Sequence, residues 1–157
     1  MPKILLGVLV ISIVTLNSCK KGPDPGGSWT FQGSTYYVAG CEAGGGGALI
    51  ASNANANNQY TYGTIEFNFH GQLPTTAGTY TVVRFPPADG QVALSVGIDG
   101  SSPAINYNST GGNGAETVNV SIGSNGFINV SGSGIEILNA SGGTDSSSLS
   151  FNITQTQ

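Results

Sequence analysis

Charge is scarce in this chain. Lys and Arg together number four, and Asp and Glu eight, among 157 residues. The basic residues are Lys3, Lys20, Lys21 and Arg84. A protein that grips a phosphate backbone does so with clustered cations, so the sequence predicts no nucleic-acid partner. Histidine occurs once, at His70, and cysteine only at Cys19 and Cys41. A His/Cys zinc site takes four such ligands, which one copy of this chain does not have. There is no Gly-x-Gly-x-x-Gly, no phosphate loop and no Gly-x-Ser-x-Gly elbow. A Ser-His-Asp set would need His70 with Asp89, Asp99 or Asp145 and a serine that no local motif selects. Glu42, Glu66, Glu116, Glu136 and the four aspartates are not paired by any spacing that suits glycoside hydrolysis. The sequence therefore predicts no catalytic residues, no metal, no cofactor and a non-enzymatic role. Helical periodicity is also missing after Leu16.

What is present begins with Lys3, an apolar run from Ile4 to Leu16, and then Leu16-Asn17-Ser18-Cys19. A basic start, a short apolar segment and small residues before a cleavage point make a secretory signal. A run of thirteen residues would rise about 20 Å as a helix, short of the roughly 30 Å of a bilayer core. Leu16 to Cys19 resembles the bacterial lipobox. That resemblance implies cleavage after residue 18, a diacylglycerol on the Cys19 sulfur and an acylated amine. Two or more acyl chains, at about 0.8 kcal/mol per buried methylene, give stable anchoring. Residues 1–18 are then a signal peptide. Residues 19–27, with Lys20-Lys21-Gly22-Pro23-Asp24-Pro25-Gly26-Gly27, form a linker with nothing apolar to bury.

Removal of the leader leaves Lys20, Lys21 and Arg84 against eight acids. Residues 28–157 suffice for a single domain with a core. Once Cys19 carries lipid, Cys41 has no intrachain partner. It is either a small buried hydrophobe or half of an intermolecular disulfide; nothing nearby would lower its pKa for catalysis.

From Ser28 onward the apolar pattern has period two. In Gln91–Ile98, the residues Val92, Leu94, Val96 and Ile98 share one face. Thr117–Ile122 and Ser148–Thr154 repeat the alternation. Trp29–Phe31, Thr35–Ala39, Ala48–Ser52, Tyr60–Phe69, Thr79–Phe85, Ala104–Tyr107, Phe127–Ser131 and Ile135–Leu138 are further strand candidates. Gln32-Gly33-Ser34 and Asn125-Gly126 carry hairpin chemistry. Gly111 to Gly114 and Gly142-Gly143 mark reversals, while 44–47 and 53–58 read as flexible surface loops. The predicted fold is all-β, an antiparallel β-sandwich of about nine to ten short strands, with a small closed β-barrel as the alternative.

Ser18-Cys19-Lys20-Lys21-Gly22 resembles the lipoproteins of Bacteroidetes-type bacteria. Lys20 stands where Asp would favour the inner membrane, so the resemblance implies an outer-membrane anchor, on the periplasmic face or the cell surface. Trp29-Thr30-Phe31-Gln32-Gly33-Ser34-Thr35-Tyr36, Gly78-Thr79-Tyr80-Thr81-Val82 and the run from Val118 to Ser133 are similar to small β domains of unknown function in such lipoproteins. The resemblance implies no activity and no ligand.

One surface is a candidate for recognition. Alternation places Tyr60, Tyr62, Thr64, Glu66, Asn68 and His70 on one face, and Ile65, Phe67 and Phe69 on the other. Aromatic rings stack on sugar faces, and carboxylate, amide and imidazole groups bond hydroxyls. A possible ligand-binding face therefore comprises Tyr60, Tyr62, Glu66, Asn68 and His70. Glu66 and His70 stand about 13 Å apart along the strand, too far to share a metal. The function expected from the sequence is an outer-membrane-anchored lipoprotein with a structural or partner-binding β domain. The alternative is a glycan-binding accessory module of the envelope. Either requires the lipid: Cys19→Ser is expected to abolish incorporation of labelled fatty acid and leave the protein in the soluble fraction, and persistent labelling would refute the anchor.

Overall fold

Residues that alternate in hydropathy become strands, and eleven of them account for most of the domain. They are β1 (Gly27–Phe31), β2 (Ser34–Tyr37), β3 (Gly40–Ala43), β4 (Ala48–Asn53), β5 (Tyr62–Phe69), β6 (Gly78–Val82), β7 (Gln91–Asp99), β8 (Ile105–Ser109), β9 (Thr117–Ile122), β10 (Ile128–Asn139) and β11 (Ser146–Thr154). The structure is a computed structural model and describes residues 26–53, 62–99, 105–112, 114–140 and 143–156. The leader at 1–18, Cys19 with the linker through Pro25, the loop over 54–58, Tyr60, Ala104, Asn113 and Gly142 lie outside the described residues.

The all-β expectation holds, and among the described residues the only helical element is a 3-10 turn at Gly45–Gly47. The strands form one sheet in the order β2-β1-β11-β10-β9-β6-β7-β5-β4-β3, with β8 paired to both β7 and β10. Among the described residues ten of the eleven pairings are antiparallel; β6 and β7 run parallel through Thr81↔Gln91 and Val82↔Val92. A parallel pair ordinarily needs a long crossover. Here only two residue pairs are matched, so the connection at 83–90 has little distance to recover.

Two segments expected as separate strands, 127–131 and 135–138, are one. β10 continues across a register shift between Gly132 and Ile135. Its first half pairs with β9 and its last residues with β8. Conversely β3 was not expected, because Cys41 is the only strongly apolar residue in Gly40-Cys41-Glu42-Ala43.

Inward side chains of the two halves of the sheet meet as a sandwich-like core. Trp29, Phe31, Leu49, Ile65, Phe67, Ile135, Ile137, Leu149 and Ile153 are wholly buried. Each such side chain contributes about 1.5–3 kcal/mol relative to exposure. Phe67 of β5 meets Phe151 of β11 edge to face at 4.8 Å. Phe31 of β1 meets Tyr107 of β8 in the same way at 4.8 Å. Trp29 and Tyr36 stack at 5.2 Å above Gly63, where a Cβ would come within 3.1 Å of the Tyr36 ring.

The turns follow their residues. Gln32 (φ 49°) and Gly33 (φ 75°) are both left-handed, as the mirror-type hairpin turn between β1 and β2 demands. At Asn125-Gly126 the hairpin forms with Gly126 alone left-handed; among described non-glycine residues only Gln32 has positive φ. Asn125 Oδ1 accepts from the Phe127 amide at 3.1 Å instead. The glycine run at 44–47 is only partly the surface loop expected. Gly47 is buried with φ 87°, and a Cβ there would lie 2.8 Å from the Phe69 carbonyl oxygen.

One edge of β7 changes partner along its length. It pairs with β6 at Gln91 and Val92, then with β8 from Ser95 to Ile98. Ser109, at the end of β8 and 2% exposed, fills the junction. Its hydroxyl accepts from the Leu94 amide at 3.0 Å and donates to the Val83 carbonyl at 2.6 Å. Leaving such buried groups unpaired costs about 1–3 kcal/mol each. Ser109→Ala is expected to lower unfolding stability by about 2 kcal/mol in urea titration, whereas Ser148→Ala on an exposed outer position is expected to change it little.

Candidate functional site

β5 carries the face expected from the sequence on its outer side. Ile65, Phe67 and Phe69 point into the core, while Tyr62 and His70 are exposed and Thr64, Glu66 and Asn68 are half-buried. Tyr60 lies outside the described residues. Tyr62 and His70 are eight residues apart on an extended chain, about 26 Å, so the face is not a single site. Register aligns Glu42, Ile50, Glu66, Ser95, Asn108 and Leu138 in one row across β3, β4, β5, β7, β8 and β10.

His70 has a local task. Its Nδ1 lies 3.1 Å from the Pro87 carbonyl oxygen and its Nε2 3.9 Å from Asp89 Oδ1. Both partners belong to the strap at 83–90 between β6 and β7. The sequence placed Val83, Arg84 and Phe85 in a strand; β6 instead ends at Val82. Pro86 and Pro87 have no amide hydrogen to continue a ladder. The strap is held at several further points. Val83 donates to the Val92 carbonyl at 3.0 Å and its own carbonyl accepts from Ser109. Gln91 Oε1 accepts from the Ala88 amide at 2.9 Å, and Pro87 is buried. Gly111 (φ 78°) lets the β8–β9 turn press against it: a Cβ there would sit 3.0 Å from the Arg84 nitrogen.

So fixed, the strap overhangs the outer row and makes two concavities that share Arg84 and Asn108. One, of about 400 Å³, is lined by Arg84, Asn108, Thr110, Leu138, Asn139 and Ala140, with Ser109 at its base. The other, of about 350 Å³, is lined by Asn68, Arg84, Phe85, Ala93, Leu94, Ser95 and Asn108. Phe85 is 68% exposed and Leu138 39% exposed, so apolar surface faces solvent here beside the guanidinium. Among the described residues the side chains of Asn68, Arg84, Ser95 and Asn108 hydrogen-bond to no other protein group. Arg84 is the only Lys or Arg among the described residues.

Of the residues singled out in the sequence, Asn68 lines this groove and His70 anchors its roof; Glu66 stands beside Ser95, and Tyr62 lies toward the far end of β5. Arg84, Phe85, Asn108 and Leu138 were missed. A lone cation after the linker, followed by Phe85-Pro86-Pro87, was the available signal.

Cys41 is the buried hydrophobe of the two readings. It is a free thiol, 1% exposed. Burial, and then the charge of Glu42, push its pKa from 9.0 up to about 12. Its amide donates to Thr156 Oγ1 at 2.9 Å, and its carbonyl accepts from the Thr156 amide at 2.8 Å.

Compared with protein-family models, with curated proteins and with solved structures, the chain matches none.

The native thiol is expected to resist a maleimide at pH 8 and to react once urea unfolds the chain. Because the folded pKa is the higher one, the unfolded state loses its proton first. The Cys41 contribution to stability is therefore complete below pH 9 and is lost as pH rises toward about 12. Rapid labelling of the native protein would contradict this burial.

Proposed function

We propose that this chain is a lipid-anchored envelope protein, tethered at the outer membrane through Cys19, whose β domain is a non-enzymatic binding module with its partner site in the groove beside Arg84. The observation that carries the reading is the groove itself. It has the volume of a small-ligand site, and the side chains of Asn68, Arg84, Ser95 and Asn108 in its lining hydrogen-bond to no other described protein group. Its roof is held by Ser109, His70 and Gln91, so little ordering remains to oppose binding. Among the described residues Arg84 is the only side chain lining it that carries charge at neutral pH, and a guanidinium does not give up its proton. Such a lining suits recognition rather than proton transfer. The leader and Lys20 supply the envelope location by resemblance to Bacteroidetes-type lipoproteins.

A glycan-binding role is the second reading. An exposed ring at Phe85 with amides at Asn68 and Asn108 favours it over a purely structural role, and moves the site away from Tyr62. The test is a ¹⁵N-labelled, lipid-free mature chain titrated with soluble envelope carbohydrate and peptide fragments. Shifts are expected to cluster at Arg84, Phe85, Asn108, Thr110 and Leu138. Fragments that perturb only residues elsewhere, or none that perturb these, would reject the groove as the binding site.

A further inference from the structure

We infer that the groove selects a sugar that carries a carboxylate, a uronic-acid residue of an acidic glycan; this rests on the groove being the binding site. Three features of the lining converge on that chemistry. Arg84 offers a planar fork of donors that matches a carboxylate in bidentate geometry. It makes no ion pair among the described residues, where the only such contact is between His70 and Asp89. Phe85, next in the chain and largely exposed, presents a flat apolar ring against which the C–H face of a pyranose packs. Asn68, Ser95 and Asn108 then supply amide and hydroxyl groups, which donate and accept as sugar hydroxyls require.

The charge balance of the domain argues the same way. Seven acids and a single Arg lie in the chain after the linker, so the surrounding field disfavours anions in general. An anion is accepted only where contact with the guanidinium outweighs that field. Glu66 is paired with Ser95 on the groove lining, about 5 Å away, so a carboxylate is seated on the Asn108 side, about 10 Å from Glu66 and beyond the Debye length of about 8 Å in physiological salt. A carboxylate touching Arg84 at about 3 Å is screened far less. The apolar contacts at Phe85 and Leu138 add selectivity against small inorganic anions, which have no face to stack. An acidic peptide would satisfy the guanidinium but leave the Phe85 ring and the ladder of amides without matched hydroxyls.

The experiment is calorimetric titration of the lipid-free mature chain at low salt. The probes are trisaccharides of galacturonate, glucuronate and mannuronate, their methyl esters, and a triglutamate peptide. At least one uronate is expected to bind at least about tenfold more tightly than its own neutral ester, and added NaCl is expected to weaken it. Arg84→Gln should remove the difference between acid and ester, and Arg84→Lys should restore part of it. Phe85→Ala should weaken acid and ester alike. Both positions are exposed, so an unchanged melting temperature verifies each fold. Equal binding of acid and ester, binding by none of the three uronates, or triglutamate binding as tightly as the best uronate would overturn the assignment. Groove shifts produced by neutral fragments alone would overturn it too, yet leave the groove as the binding site; no perturbation of the groove by any fragment would remove both.

Discussion

The arrangement depends on one buried hydroxyl. Ser109 joins β8 to β7 and to the strap, accepting a hydrogen bond from the Leu94 amide and donating one to the Val83 carbonyl. Without it β7 would pass from β6 to β8 with an orphaned donor and an orphaned acceptor in a dry interior, a costly state. With it the sheet divides cleanly. β6 and β9 end on one side of the division, β8 inserts between β7 and β10, and the chain is free to leave the sheet at Arg84. The groove is the space that this departure creates.

β10 is the counterpart on the other side of β8. It bends at Gly132 to Gly134, where the ring of Phe151 would meet any Cβ on Gly132 at 2.7 Å. The bulge lets the first half of the strand stay with β9 and its end reach β8. Thus β10, β9, β6, β7 and β8 are hydrogen-bonded in a closed circuit, although the whole sheet is not a simple barrel. Two adjustments, a hydroxyl splice and a glycine bulge, let one strand be shared by both neighbours.

Legibility in the sequence followed from how local each determinant is. Period-two runs such as Thr117–Ile122 and Gln91–Ile98 were readable almost to the residue, because alternation and burial have the same cause. Gln32-Gly33-Ser34 was readable because Gly33 takes left-handed backbone without strain. The parallel pair of β6 and β7 was not, since two matched residues leave no pattern. β3 was missed because its burial rests on Cys41 and on hydrogen bonds exchanged with Thr156, which is 115 residues away. The groove was missed for the same reason: Asn68, Arg84, Asn108 and Leu138 belong to different segments, and only strand pairing and the course of the strap bring them together. Asn68 was found, for the wrong neighbours, because its outward direction is a local property of β5.

The ends of β11 are worth setting against each other. Thr154, at its C-terminal end, donates to the Gly26 carbonyl at 3.0 Å, so the domain's point of entry lies there. Ser146, at the opposite end, pairs with Leu138 on the groove wall. Eight residues of extended chain separate them, about 26 Å. The chain therefore enters the domain at the pole opposite the groove, so whatever precedes Gly26 and whatever occupies the groove meet different ends of the sheet.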